Sequence, residues 1–345
     1  MSREDRELRA FFIILNQEAA SSRYRVLQYI PFLERAGIVP DVLEVKKGIR
    51  ERISGFSRLK HFNLVFIQKK LFSLPNWVYL RSKSQRIVFD FDDAIIYRDS
   101  RRGTGLSKTR LRRFSRIAKG SELVIAGNTY LREIAKGFAP RVLMIPTPID
   151  MNRYTVRKPI PSKTIRIGWI GSASTLFYLE KLYPVLRELC RSRKDIRVKV
   201  ISDQFPDWHD VPLERKPWVY EEEIQDLHSF DIGIMPLTDD PWAKGKCGFK
   251  LLQYMAVGSP VVCSPVGMNA ELVQDGMNGL LARNPEEWAK CLRFLIENPD
   301  QGLRLGRAGR KTVIERYDLD LWAKRLVSAL KELIEFQDQA LHLAS

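Results

Sequence analysis

The sequence predicts an α/β protein built from two Rossmann-like domains, each a parallel sheet wrapped by helices. Strand-like apolar runs alternate with stretches of helical periodicity along the chain, as βαβ units do. The alternation restarts after a proline-containing stretch, Pro159 to Pro161. A chain of 345 residues that is 45% hydrophobic can also fill two cores, because domains usually run about 100 to 200 residues.

The first series opens with FFIILN as a strand and a helix over about Ser22 to Arg35. The strands DVLEV, LVFIQ, RIVFDFDD and LVIAG follow, then a helix near Tyr130 to Phe138 and the strand VLMIP. The linker is KPIPSK. The second series runs IRIGWIG, a helix over about Leu176 to Arg191, IRVKVIS, a short helix EEEIQDLHSF, DIGIMPL, the segment Lys244 to Ala282, and C-terminal helices. Within that segment Phe249 to Val257 is an apolar-periodic run closed by Gly258 and Pro260, as helix C-termini commonly are, and PVVCS is a short buried strand. The last helix covers about Leu319 to Leu341, with Leu321, Leu326, Leu330, Leu333 and Ile334 at helical spacing. The expected domains are residues 1–155 and 156–318.

Four cysteines (Cys190, Cys247, Cys263, Cys291) form no C-x-x-C pair, and the four histidines are dispersed, so neither a disulfide framework nor a zinc site is indicated. A reducing cytoplasm fits. FFIIL is too short for a membrane span and lacks signal-peptide flanks. The net charge of +16 is uneven, +14 in residues 1–150 against +2 in residues 151–345. This asymmetry implies an anionic partner for the first domain, whether acidic lipid, a phosphorylated acceptor or nucleic acid. The expected location is cytoplasmic, or peripheral on the inner face of the membrane.

Lys244 to Ala282 is the most informative segment. Gly245 and Gly248 stand just before the helix, whose first turn offers backbone N–H groups and the positive end of the macrodipole. Lys246 and Lys250 add full charges, so the segment outlines a diphosphate site. The order K-C-G-F-K-L-L-Q-Y-M-A-x-G-x-P-V-V, then S-P-V-G-x-N-x-E-x-V-x-D-G-x-N-G-x-L, resembles the donor-site signature of retaining glycosyltransferases of family 4, the glycosyl transferases group 1, which have the GT-B fold. The resemblance runs from about Ser22 to Tyr317, strong in the second domain and diffuse in the first. It implies two Rossmann-like domains facing each other across a cleft, with the C-terminal helix, 319–345, crossing back to the first. It also implies a nucleoside-diphosphate sugar as donor, with neither cofactor nor bound metal, and a donor site formed by Lys246, Gly248, Phe249, Lys250, Leu251 and Gln253.

The sequence departs from that family in several places. Family members typically carry two glutamates separated by seven residues, and these positions are Gly245 and Gln253 here. Gln253 can still bond a ribose, three residues after Lys250 and about 4.5 Å along the same helical face. Asp239 or Asp240, a few residues upstream, can reach the donor sugar in place of the other carboxylate; a solvated loop is the alternative. IGWIGSAST is a strand and glycine turn where Gly171, Ser172 and Ser174 can meet a phosphate. The family's Arg and Lys at that strand end are absent, leaving hydroxyls from Ser172 to Thr175.

FDFDDAIIY sets Asp90, Asp92 and Asp93 at a strand end, where parallel α/β sheets bind ligands. A D-x-D pair can hold a divalent ion, but the phosphate-binding helix lies in the other domain, so Asp92 or Asp93 is expected to face the sugar or the acceptor hydroxyl. Asp90 or Asp93 can instead cap the next turn. In NQEAASSRYRV, Arg23 and Arg25 in a first helical turn oppose the macrodipole and suggest an anionic ligand. Ser100 to Gly120 has no acidic residue, and Leu111, Phe114 and Ile117 form one stripe among Arg110, Arg112, Arg113 and Arg116. That pattern suits anionic lipid, or a helix packed on its own sheet with a solvated basic face. NTYLREIA and IPTPID resemble further family elements.

The function expected from the resemblance is retaining, metal-independent transfer of a sugar from a nucleoside diphosphate to an anionic or lipid-linked acceptor. Lys250 and Lys246 stabilise the leaving diphosphate, Gln253 holds the ribose, and Asp92 or Asp93 orients sugar or acceptor. Two rivals stand beside it: a catalytically silent GT-B subunit that binds nucleotide, and a basic nucleic-acid-binding protein. The latter needs base-stacking aromatics, and the basic run offers only Phe114 and Tyr97. Nucleic acid is therefore not an expected partner.

Overall fold

The computed structural model describes residues 8–45, 49–103, 105–157 and 163–342. The chain divides into two compact units, residues 1–147 with 320–345, and residues 148–319. The first unit holds β1 (Leu8–Ile14), β2 (Ile38–Glu44), β3 (Leu64–Gln68), β4 (Ile87–Phe91), β5 (Leu123–Ala126) and β6 (Val142–Met144). They form one parallel sheet in the order β2-β1-β3-β4-β5-β6. Every residue of β3, β4 and β5 is buried, because parallel strands are covered by helices on both faces.

The second unit repeats the plan with β7 (Ile165–Ile170), β8 (Ile196–Ser202), β9 (Leu213–Pro217), β10 (Ile232–Met235), β11 (Val261–Cys263) and β12 (Leu280–Leu281). Their order is β12-β11-β10-β7-β8-β9, again all parallel. Each sheet reverses its strand order once, between β1 and β3 and between β7 and β10. In doubly wound sheets the crevice at the carboxyl ends of such a pair is the natural ligand site.

Two expected helices are each broken in two. The chain from Ala20 to Arg35 forms helices Ala20–Arg25 and Ile30–Arg35 around a short turn, and Ala173 to Ser192 forms Ala173–Glu180 and Tyr183–Ser192. Pro31 and Pro184 stand in the first turns of the second helices. Proline lacks the N–H that would continue the preceding ladder and is well placed at a helix start. The edge strands β9 and β12 are additions to the expected set.

The division at 147/148 precedes the expected 155/156 because the chain joins the second unit early. Ile149 N–H donates to the Tyr317 carbonyl and Leu319 N–H to the Ile149 carbonyl, both at 2.9 Å, and Tyr154 is buried in the second unit's core. Residues 158–162 of the expected linker, and 343–345 of the last helix, lie outside the described residues. From Asp320 the final helix, Leu319–His342, belongs to the first unit. There Arg86 donates to the Ile334 carbonyl at 3.0 Å and Arg141 pairs with Glu332 at 2.7 Å. Leu326, Leu330 and Ile334 are buried as the periodicity predicts, whereas Leu321 is exposed and Trp322 and Ala323 are buried beside it.

The helix Pro299–Tyr317 crosses the turn after Phe249–Ala256 at very close range. A Cβ on Gly306 would lie 2.1 Å from the Gly258 carbonyl oxygen, whereas one on Gly302 would meet nothing nearer than 3.5 Å. Alanine is the better helix former by about 1 kcal/mol, so Gly302→Ala is expected to leave stability unchanged or raise it. Gly306→Ala is expected to lose about 1–3 kcal/mol through overpacking. Denaturant titration of both variants checks the pair, and equal behaviour would refute the close-approach account.

Candidate functional site

At the order reversal of the second sheet, four residues from four consecutive or facing segments meet. Trp169 comes from β7, Gly171 from the turn after it, Thr175 from the helix Ala173–Glu180, and Lys250 from the helix Phe249–Ala256. Lys250 Nζ donates to Thr175 Oγ1 at 3.0 Å and stands 4.2 Å from the centroid of the Trp169 ring. A Cβ on Gly171 would lie 2.5 Å from that nitrogen, so a larger residue would displace the ammonium. Burial, reinforced by the nearby charge of Lys246, pushes Lys250 down from 10.5 to about 7. Among the described residues no carboxylate holds it charged; the indole face offsets part of the desolvation.

The helix that carries Lys250 is firmly seated. It starts on Gly248, whose φ of +67° strongly favours glycine, and its ladder begins with Leu252 N–H to the Gly248 carbonyl at 3.1 Å. The first-turn amides lie ahead of that ladder, directed where an anion is best placed. Tyr254 is fully buried and its hydroxyl accepts the Ile170 N–H of β7 at 3.0 Å. Arg310 caps the other end, donating to the Ala256 carbonyl and, at 2.8 Å, to that of Tyr154. Leu251 is fully buried and Phe249 partly so against the same core; any part Leu251 plays at a ligand is therefore through its backbone.

Gln253 is buried and donates through Nε2 to the Tyr154 hydroxyl at 3.2 Å, which donates in turn to Glu223 Oε1 at 2.7 Å. Lys246 Nζ lies 4.9 Å from the Trp242 ring centroid.

The turn after β7 is more engaged than its sequence suggests. Gly171 N–H donates to the Ile201 carbonyl at 3.0 Å, and Ala173 N–H donates to Asp203 Oδ1 at 2.7 Å. The hydroxyls of Ser172 and Ser174 bond each other at 2.8 Å. Two of this turn's amides, that of Gly171 among them, thus already have acceptors. Asp240 does not replace the missing glutamate: it caps the helix Pro241–Lys244, accepting from Ala243 N–H at 2.9 Å and from the Thr238 hydroxyl. Asp239 is largely exposed and pairs with Lys244 at 3.0 Å.

In the first unit, the carboxyl ends of β3 and β4 bring Lys69 to Asp92 and Asp93. The ammonium lies 3.1 Å from Asp92 and bonds Asp93 directly, with all three side chains half-buried. Burial alone would lower the Lys69 ammonium, but the two aspartates outweigh it and hold it above its usual range. Lys69 thus bridges the two carboxylates. Lys69 also has a φ of 60°, the left-handed region, and such strain in a non-glycine residue gathers at functional sites.

Arg23 and Arg25 fall in the last turn of Ala20–Arg25, not the first, so they complement the macrodipole. Arg25 is buried and bound to Asp90 by two nitrogens and to the Ile145 carbonyl at 2.7 Å. The anion its position suggested is therefore inside the domain, and it cannot serve as an acceptor or membrane contact. Asp90 likewise pairs with Arg25 and caps no turn. Arg23 is half-buried. In the basic helix Lys108–Lys119, Phe114 and Ile117 are fully buried, Phe114 against the rings of Phe89, Phe91 and Phe138. Two of the stripe's three residues thus belong to the domain core, and Leu111 is half-buried. Arg110 stays exposed, its guanidinium donating to the Tyr97 carbonyl at 2.6 Å, and Arg113 is half-buried. No described helix is long and apolar enough to cross a membrane.

Lys69, Trp169, Tyr154 and Glu223 were not among the expected site residues. Trp169 lies inside an apolar strand run and reads as core; Lys69, a cation at the end of a buried strand, was the one legible signal.

Residues 176–298 match the family model described as glycosyl transferases group 1. A stretch of 120 residues, 34% of the chain, is 28% identical to a D-inositol 3-phosphate glycosyltransferase of Corynebacterium urealyticum, and 100 residues, 28% of the chain, are 30% identical to that of Paenarthrobacter aurescens. These matches span 27% and 23% of the two relatives' lengths. Among solved structures, a sucrose-phosphate synthase from Thermosynechococcus elongatus superposes with a TM-score of 0.75 at 13% identity, over 94% of this chain and 99% of that one. Anabaena HepE, in complex with UDP and glucose, gives 0.73 at 15% identity over 94% and 99%. Likeness at this identity speaks for the fold alone. The chain therefore has the GT-B fold, and the part of its second unit from residue 176 to 298 is similar to the glycosyl transferases group 1.

Proposed function

We propose that the chain transfers a hexosyl group, with retention and without a metal ion, from a nucleoside diphosphate to an acceptor hydroxyl. The bond from the sugar's anomeric carbon to the diphosphate breaks, a bond to the acceptor oxygen forms on the same face, and the acceptor's proton passes to the leaving diphosphate. The observation that carries this reading is Lys250. An ammonium held at a helix start beside an indole, a glycine turn and a hydroxyl, with no carboxylate partner among the described residues, is arranged for an anion from outside. HepE holds UDP and glucose in its structure, and a nucleotide sugar fits the same chemistry here. Lys246 and the Phe249–Ala256 amides share the diphosphate, and Gln253 meets the ribose.

Asp92 and Asp93, kept as hydrogen-bond acceptors by Lys69, suit the hydroxyls of the sugar or acceptor. The charge of +14 in residues 1–150 favours an anionic, membrane-linked or polysaccharide-precursor acceptor, with Arg23, Arg110 and Arg113 the remaining candidate contacts, and a peripheral cytoplasmic location. The engagement of Asp240 as a cap favours a second reading, a nucleotide-binding subunit that turns nothing over. Slow donor hydrolysis separates the two.

Two outcomes test the assignment. Lys250→Ala is expected to lower turnover about 100-fold, the usual loss when a charge-stabilising donor is removed, while the variant stays folded; near-normal turnover with a panel of UDP-, GDP- and ADP-sugars would sink the role. Lys250 also links stability to pH. Its folded value, about 7, lies below the unfolded 10.5, so the fold disfavours the charged form. That penalty is full below about pH 7, shrinks as pH rises and vanishes above 10.5. Lys250→Met should therefore melt higher than the parent at neutral pH, with the gap closing toward pH 10.5. A pH-independent gap in calorimetry would contradict the buried-ammonium account.

A further inference from the structure

We propose that Glu223, acting through the Tyr154 hydroxyl, turns the Gln253 amide so that its oxygen faces the ligand, and that this oxygen receives a ribose hydroxyl of the bound nucleoside diphosphate. The inference rests on the nucleotide-sugar reading above and adds two positioning residues to it.

A glutamine side chain can present either its oxygen or its nitrogen, and only its neighbours decide which. Here the decision is made in series. Glu223, almost fully buried, is an acceptor at both oxygens. Oε2 takes the indole N–H of Trp218 at 3.0 Å, and Oε1 takes the Tyr154 hydroxyl at 2.7 Å with Arg153 Nη2 at 3.6 Å. A phenol has one proton, and that of Tyr154 points to Glu223. The Tyr154 oxygen can then only accept, and what it accepts is Gln253 Nε2–H at 3.2 Å. The nitrogen of Gln253 is thereby fixed inward and Oε1 is left as the other end of the amide. Among the described residues nothing donates to that oxygen.

Gln253 is only 4% exposed, so a ligand meets little of it beyond this end. It stands three residues beyond Lys250, about 4.5 Å along the same helical face, the next position for a ligand whose phosphates lie at Lys250. An amide oxygen there accepts an O–H and gains nothing from a carbonyl or phosphate oxygen, which selects the hydroxyl-bearing part of a nucleotide. A buried network that is satisfied at every other member also holds that orientation rigidly.

Calorimetric titration with UDP, GDP and ADP, each beside its 2′-deoxy and 3′-deoxy form and beside inorganic pyrophosphate, tests the proposal. The parent protein is expected to prefer the ribose form of its nucleotide over one of the deoxy forms by about tenfold, as an unmade hydrogen bond at a buried group implies. In Glu223→Gln the new amide can donate to Tyr154, whose proton then turns to Gln253, reversing the amide; the ribose preference should fall to about twofold. Tyr154→Phe keeps the packing, removes the relay, and should show the same collapse. Pyrophosphate, which reads Lys250 and not Gln253, should bind both variants as it binds the parent. If either folded variant keeps the parent's ribose preference, or loses ribose, deoxy and pyrophosphate affinity in equal measure, the relay is overturned. If the parent binds none of the three nucleoside diphosphates, the nucleotide reading itself fails and this inference falls with it.

Discussion

The second unit depends on how the helix Phe249–Ala256 is locked against its sheet. Its residues from Leu251 to Ala256 are all buried, Tyr254 is tied to the last residue of β7, and Arg310 closes its carboxyl end. So seated, the helix keeps Lys250 beside Trp169 with no carboxylate partner among the described residues. The same rigidity fixes Gln253 relative to Lys250. Packing that overdetermines a helix is what allows its polar face to carry groups that would relax elsewhere if the helix were free to shift.

The parallel strands were legible because each buried strand is a short apolar run, and the helix at Phe249 because glycine, charge and periodicity coincide there. Strand β9 was not, since LERKP has the polarity of a loop and lies at the sheet edge. The helix breaks at Pro31 and Pro184 were written in the sequence but outweighed by continuous periodicity. Site residues followed the same divide. Lys246 and Lys250 announce themselves locally. The role of Arg25 does not, because its partner Asp90 lies 65 residues away, and the chain from Gln253 to Tyr154 to Glu223 joins residues 99 and 69 apart. Sequence shows a charge that needs a partner; only the fold shows that it has one.

The first unit separates two scales of electrostatics. Its sequence is strongly basic, yet the carboxyl end of β4 carries two aspartates against one lysine. The overall charge acts over distances comparable to the Debye length, about 8–10 Å at ordinary salt, and governs approach. At contact distance the local pairing governs instead, two carboxylates against one ammonium.

Strand β9 has a further consequence. It is the open edge of the second sheet, yet it reads Leu-Glu-Arg-Lys-Pro. Glu214 is engaged by Arg166 at 2.9 Å and Lys216 by Glu222, and Pro217 has no N–H to offer at the end of the strand. Another extended chain seeking to add itself there would have to desolvate paired charges and would find its hydrogen-bond row cut short. The sheet ends at β9 by the chemistry of its edge, which guards a crowded solution of this protein against templated β-addition along that border.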